Sequence, residues 1–468
     1  MNLPTSPNTA PQAPPSRFLP LLLAIAIFMQ MLDATILNTA LPAIAADLHE
    51  SPLNMQSAVI VYTLTVALLI PLSGYLADRF GTRTVFVASV VLFVTGSVLC
   101  AAAPNLPMLV FARAVQGLGG SMLAPVPRLT VMRVYDKSQL LNAINYAVMP
   151  ALIGPVVGPL LGGYLVEYAS WHWIFLLNVP IGIAGIVVAL KIMPELKSEK
   201  SSLDLAGFLL FAAAACSLTL AVETVLHPGA GMFALLLFAA AAAAFYGYTA
   251  HARRHENPLY AGHLLQVRTF RLGLAGNLCS RLGIGAMPFL LPLLLQVALG
   301  YSASASGWML APVALASLLA KPLIKPLLTR FGYRRVLLVN TALLGILMMM
   351  LALPDADTPL WLWLPLLSAM GLCNSVQFSA MNTLTIADLR PYQTGSGNSL
   401  MAVNQQLALG IGVALSALLL QLWRSGGWGG ENVHTAFRFT FVCIGLLTLA
   451  AGRIFSLLHR SDGENLTS

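Results

Sequence analysis

An aspartate, Asp33, stands in the apolar run MQMLDATILNTALP and is the only carboxylate well inside the apolar spans of the first half of the chain. A charge at that depth costs a few kcal/mol on insertion scales, so it must be neutralised or face a wet cavity. A guanidinium, Arg113, lies in another apolar run. The two sit about seven and about six residues from the outer ends of their spans, which is a similar depth. Burial favours a neutral carboxyl, whereas a nearby guanidinium favours the carboxylate. Approach and separation of the pair would therefore take up and release a proton. A static ion pair that only fixes packing is the competing reading, and the sequence leaves both open. In the second half, Arg281 lies near the middle of a span and Lys321 in the inner part of the next, with Asn374, Gln377, Asn404 and Gln405 at membrane depth. Arg281, Gln377, Asn404 and Gln405 are candidate cavity residues, with Met149, Met287 and Phe378 as an adaptable apolar lining. Unpaired cations there favour a neutral or anionic substrate, such as an amphipathic organic acid or its metal chelate. Pairing with helix-end carbonyls or snorkelling is the alternative, and the stronger one for Lys321.

The elements that must position these groups follow from composition. Of 468 residues, 58% are hydrophobic and 9% are charged, with a mean hydropathy of +0.80. Soluble domains carry roughly 25% charged residues, so the chain has too few to coat a water-facing globule. The apolar residues come in runs of about 20, the length that crosses a bilayer as a helix, and they lack the alternation of barrel strands. Hydropathy predicts an all-α membrane protein of fourteen transmembrane helices, an even count that puts both termini on one side. Arg79, Arg83, Arg133, Lys197, Arg253, Arg254, Arg330, Arg334 and Arg335 fall in loops on that side. The opposite loops hold Arg424 and Arg438 with the acids Asp47, Glu50, Glu167, Asp355, Asp357 and Glu431. The positive-inside rule then makes both termini cytoplasmic. The net charge of +8 reflects these loops, so no nucleic-acid partner is expected. Five cysteines are scattered singly, and His172, His227, His251 and His434 lie in separate loops or helix ends, so neither disulfides nor a metal or other cofactor is expected. There is no Walker A sequence and no paired-carboxylate or Ser/His/Asp pattern, which argues against an ATPase or other enzyme.

The chain also repeats itself. GYLADRFGTR (Gly74 to Arg83) and KPLLTRFGYR (Lys325 to Arg334) share Leu-x-x-Arg-Phe-Gly-x-Arg. Parallel repeats are a common plan for secondary transporters, with the substrate site between halves near the midplane. The expected organisation is a tail at 1–16, a six-helix bundle at 17–195, a linker with two inserted helices at 196–260, a second six-helix bundle at 261–460, and a tail at 461–468. The first tail has no secretory cleavage pattern, so the first apolar run is expected to be kept as a helix.

These residues carry a family resemblance. LDATILNTALP (Leu32 to Pro42), GYLADRFGTR, RAVQGLGG (Arg113 to Gly120), GPVVGPLLGG (Gly154 to Gly163) and WHWIFLLNVP (Trp171 to Pro180) resemble, in order, signatures of the major facilitator superfamily, and more narrowly its fourteen-helix drug:proton antiporter branch. SAMNTLTIADL (Ser379 to Leu389) and SGNSL (Ser396 to Leu400) further resemble bacterial exporters of the MdtD type. The resemblance implies proton coupling through Asp33 and Arg113, and gating or structural roles for Gly74, Asp78, Arg79, Gly81, Arg83, Gln116 and Gly117. It also implies an antiporter motif at Gly154, Pro155, Gly158 and Gly162, which favours export, although close helix packing alone explains glycines at that spacing. Asp78 is expected to latch the halves near the start of the span at Thr394, with a solvated loop acid as the alternative. Trp171 and Trp173 are read as an interfacial aromatic belt.

The expected function is a proton-coupled antiporter of the bacterial inner membrane, working as a monomer and exporting small amphipathic molecules. Two alternatives remain: a dedicated exporter of an endogenous organic acid, siderophore or metal chelate, and a sensor or scaffold that transports nothing.

Overall fold

The apolar runs fold as helices because lipid offers no partner to a backbone amide, so every N–H and C=O must be satisfied within its own segment. In the computed structural model the described residues are 18–135, 139, 143, 153–198, 203–225, 230–390, 393–425 and 432–466. The first half contains α1 (Leu19–Asp47), α2 (Gln56–Leu69), α3 (Leu72–Phe80), α4 (Thr82–Ala101), α5 (Leu106–Leu123), α6 (Pro125–Val134), α7 (Gly154–Tyr168), α8 (Trp173–Leu176) and α9 (Asn178–Ile192). Between the halves lies a helical hairpin, α10 (Leu205–Thr224) and α11 (Gly231–Arg254). The second half comprises α12 (Arg268–Leu293), α13 (Ala303–Leu319), α14 (Lys321–Phe331), α15 (Tyr333–Met350), α16 (Leu360–Ile386), α17 (Thr394–Ser425) and α18 (Val433–Ser456).

The repeated motif has one backbone solution in both halves. Gly81 (φ 98°) separates α3 from α4 and Gly332 (φ 74°) separates α14 from α15. Both positions need a left-handed residue, which glycine adopts without steric cost. The preceding helix pairs are bent alike, by 59° between α2 and α3 and by 54° between α13 and α14. Pro288 and Pro292 lie in α12, which widens into a π turn at Leu294–Ala298. Proline frees a carbonyl one turn back, and widening of the ladder is one way to absorb that.

Among the described residues ten helices are long and apolar enough to cross a membrane, or twelve if each bent pair is one span. The predicted count of fourteen is therefore not reached. The run at 141–166 falls partly outside the described residues, which there form the 15-residue α7. The run at 361–386 is the 27-residue α16, which is not among those ten.

The cores show how the halves meet. One apolar core joins them at the end away from the glycine turns, running through Leu37, Leu41, Ile44, Phe175, Leu290, Leu294, Trp363 and Phe437. At the turn end the cores are separate: one in the first half around Leu22, Phe86 and Phe93, another in the second around Leu328, Leu337 and Leu384. The shared end is closed by main chain against main chain. A Cβ on Gly163 would lie 2.3 Å from the Ala303 carbonyl, and one on Gly307 would lie 2.4 Å from the Pro159 carbonyl. Small residues of this kind let helices approach closely in lipid, where dispersion and polar contacts drive association. Glu167 reinforces the closure by accepting from the Ser304 amide (3.0 Å) in the first turn of α13. Gly307→Val has only backbone to displace, so it is expected to cost about 1–3 kcal/mol. A lowered thermal unfolding midpoint in detergent would register this, and an unchanged midpoint would contradict the contact.

Candidate functional site

Asp33 is 1% exposed and is held by three donors. Arg113 Nη1 donates to Oδ2 at 2.8 Å, while Gln116 Nε2 and Asn178 Nδ2 donate to Oδ1 at 2.7 and 3.2 Å. Every hydrogen-bonding neighbour of this carboxyl group is a donor. Arg113 is anchored in turn. Its Nε donates to the Ala58 carbonyl (3.3 Å), its Nη1 to Gln116 Oε1 (2.6 Å), and its guanidinium lies 4.1 Å from the Tyr62 ring centroid. Ser97 Oγ receives both Gln116 Nε2 (2.9 Å) and Asn178 Nδ2 (3.3 Å), so α1, α4, α5 and α9 meet at one polar node. Close helix approach makes this possible: a Cβ on Gly96 would stand 2.4 Å from the Gln116 amide nitrogen, and one on Gly117 2.8 Å from Thr65.

α1 has a second working face. Thr35 follows Asp33 by two residues, roughly 200° around a helix of 3.6 residues per turn. Thr35, Asn38 and Thr39 line a cavity of about 390 Å³ between the halves. α7 presses on α1 through the glycine stripe, with Gly154 against Met31, Gly158 against Thr35 and Gly162 against the Ile36 carbonyl. Pro155 lines the cavity beside it. Gln296 Nε2 of the second half donates to the Thr39 carbonyl at 2.9 Å.

Of the candidate cavity residues, Arg281, Met287 and Phe378 line this space, as does Lys321. Gln377 is fully buried and faces the second-half core, where it accepts from Asn340 (2.7 Å) and donates to Thr341 (2.8 Å). Asn404 donates to the Leu274 carbonyl and Gln405 to Asn382, and neither lines the cavity. Met149 lies outside the described residues. Trp171 also departs from expectation. It is 5% exposed, donates to Asp47 (2.9 Å) and stacks on His172, so the aromatic belt describes only the exposed Trp173.

At the turn end, Asp78 pairs with Arg133 of α6 (2.6 Å) rather than with the start of α17. Arg83 pairs with Glu195 (3.2 Å), Arg79 donates to the Tyr75 hydroxyl, and nothing lies within 4 Å of where a Cβ would stand on Gly74. The segment after α9 docks here, with Thr82 donating to the Pro194 carbonyl and the Ser198 amide to the Asp78 carbonyl.

The histidines are less scattered than the sequence reading held. His251 and His255, one turn apart at the end of α11, stand beside Asp204, with ligating atoms all within 4.8 Å of one another. That spacing suits a divalent cation, although Arg254 lines the same recess. Asp204 caps α10 by accepting from the Gly207 amide (2.8 Å), and also accepts from His251 (2.7 Å) and the Leu259 amide (3.1 Å). Burial works against its charged form, but these hydrogen bonds outweigh it and hold the carboxyl below the usual range. A depressed carboxylate contributes stability above its unfolded value of about 3.9, which is lost as pH falls through the lower folded value. Asp204→Ala should therefore cost about 1–2 kcal/mol near neutral pH. Denaturation curves of parent and variant should converge at acid pH.

Comparison with known proteins places this arrangement. The family model described as Major Facilitator Superfamily matches residues 23–265 and 273–467. The chain belongs to the major facilitator superfamily. It is therefore a multi-pass membrane transporter of a small-molecule substrate and not an enzyme. It is 42% identical over 446 residues to "Probable transport protein HsrA" of Haemophilus influenzae, covering 95% of this chain and 96% of that one. It is 43% identical over 455 residues to "Putative multidrug resistance protein MdtD" of Cronobacter sakazakii, covering 95% of each. Among solved structures, an auto-inhibited POT family peptide transporter matches with a TM-score of 0.67 at 15% identity, over 94% of this chain and 98% of that one. That likeness concerns the fold alone. Within the superfamily fold, the Asp33 node occupies the first half and the charged side of the cavity lies in the second.

Proposed function

We propose that this transporter is a proton-driven antiporter that exports small amphipathic molecules by alternating access, with the glycine-turn end and both termini in the bacterial cytoplasm. The observation that carries this reading is the placement of Asp33. Its carboxylate is buried among three donors on one face of α1, and the opposite face of the same helix lines the cavity. Protonation would remove the charge that Arg113 is paired with and would add a proton to a shell already full of donors. The pair would loosen, α1 would shift, and the cavity wall would move with it. A cytoplasmic turn end makes the described state the inward-facing one, with the cores parted on the side from which cargo enters and Asp33 ionised after releasing its proton. The positive loops on that end support the orientation. In the outward-facing state Asp78 is free to exchange Arg133 for the first turn of α17, as a latch would require. The names of the HsrA and MdtD relatives support transport and drug efflux, respectively.

The test is proton-coupled flux in proteoliposomes across a panel of anions, neutral compounds and cations, with internal pH read by a trapped dye. Antiport predicts proton entry that tracks substrate exit. Substrate flux with no accompanying proton movement would refute it.

A further inference from the structure

The cavity carries an electrostatic instruction that proton coupling does not use. Arg281 is 7% exposed, at the centre of α12. Its Nε donates to Asn277 (3.1 Å) and its guanidinium lies 4.7 Å from the Phe378 ring centroid, yet Nη2 is buried with no hydrogen-bond partner. Lys321 faces the same ring, with Nζ 5.9 Å from its centroid. Among the described lining residues there is no aspartate or glutamate, so two cations meet no counter-charge from the wall. A buried cation without a partner is costly, and an occupant that supplies the partner recovers that cost. Asn374 Oδ1 and Ser375 Oγ, on the same wall, are likewise buried without partners. Apart from Thr35, Asn38, Thr39 and Ser317 the rest of the lining is apolar, with Met287, Leu291 and Met370 prominent. At about 390 Å³ the space falls within the range of small-molecule pockets.

We infer that the substrate is an amphipathic organic carboxylate whose headgroup accepts from the guanidinium of Arg281, with Lys321 adding charge and with Met287, Leu291 and Phe378 packing the apolar body. A guanidinium offers parallel donors that match a carboxylate's two oxygens, a geometry an ammonium cannot reproduce. The inference rests on the antiporter reading for the direction of transport, but not for the binding chemistry. With both in place, one proton entering and one monoanion leaving move two positive charges inward per cycle. An interior-negative membrane potential would drive both. The same exchange with a monovalent cation would be electroneutral.

The experiment uses three probes with one apolar body: 1-naphthaleneacetate, its amide, and (1-naphthylmethyl)trimethylammonium. Equilibrium binding to the purified full-length protein in detergent, without any gradient, is measured first for the parent, Arg281→Gln and Arg281→Lys. The carboxylate should bind at least about 10-fold more tightly than the amide, and Arg281→Gln should weaken it by about 10- to 100-fold while leaving the amide within a few-fold. Arg281→Lys should fall between, because it keeps the charge and loses the fork. Arg281→Gln removes an uncompensated buried charge, so it should fold, and Phe378→Leu gives an independent variant that should weaken all three probes together. Equal affinity for carboxylate and amide, tighter binding of the ammonium, or undiminished carboxylate binding in Arg281→Gln would overturn the assignment. Proton-coupled flux of the same probes is then measured in liposomes. Selective carboxylate binding without proton coupling would sink the antiport reading alone, whereas coupled transport of the ammonium probe alone would sink the carboxylate alone.

Discussion

Asp33→Asn should collapse proton-driven substrate accumulation to equilibrium while downhill exchange stays measurable. A potential of ~100 mV supplies about 2.3 kcal/mol per charge and each pH unit about 1.4 kcal/mol, so one proton sustains a gradient of roughly 50-fold or more. With the membrane potential clamped to zero, the variant should bring that ratio to about one. Asparagine keeps one oxygen for Arg113 but leaves the guanidinium without a counter-charge and turns the other oxygen into an amide NH2 facing donors, so retained downhill exchange is the control that separates lost coupling from lost folding. Counterflow in proteoliposomes with and without a pH gradient measures both quantities. A variant that still builds a gradient would show that the Asp33 node is structural.

Arg113→Met should produce the largest loss of stability of any single change in the first half. It strands the Asp33 carboxylate in a site where Arg113 and Asp33 are each 1% exposed, and breaking such a buried pair costs about 3–5 kcal/mol. It also removes the donor to the Ala58 carbonyl and the cation over the Tyr62 ring. The double variant Asp33→Asn, Arg113→Met contains no buried charge at the node and should recover most of that stability, yet it should not recover uphill transport. Thermal unfolding in detergent, paired with the flux assay, separates the two effects. A double variant no more stable than Arg113→Met would mean that packing, not charge, dominates there.

Much of this was legible in the sequence because lipid makes a few signals strong. Long apolar runs fix helix identity, and a charge inside one stands out, so Asp33 and Arg113 were visible together with their matching depth. The glycine of the repeated motif was legible for the same physical reason in both halves, as the residue a left-handed turn demands. What depth cannot tell is which way a side chain points around its helix. Gln377 and Phe378 are adjacent and differ by about 100° in direction. Phe378 reaches the cavity, and Gln377 therefore turns to Asn340 and Thr341. Asn178 was legible only as a member of the WHWIFLLNVP motif, because its reach to Asp33 depends on how α9 packs across α1 and α4. Asp204 and His251 are 47 residues apart, and only the antiparallel packing of α10 on α11 joins them. The bent pairs bring the count to twelve, and it stays short of fourteen because the run at 141–166 is described only as the 15-residue α7 and α16 is not among the helices long and apolar enough to cross a membrane.

The α10–α11 hairpin gives the surrounding lipid a hold on the machine. In their most apolar windows only 22% and 11% of the residues of α10 and α11 are buried, so both helices present apolar side chains to acyl chains. α10 nevertheless touches α2 in the first half and α17 in the second, and Tyr260, just beyond the hairpin, bonds Ser399 of α17 (3.2 Å). Lateral pressure or a change in bilayer thickness acting on that apolar surface would therefore reach both sides of the seam at once. A hairpin so placed would serve as a strut as much as a spacer, and the membrane would then load the transport cycle mechanically.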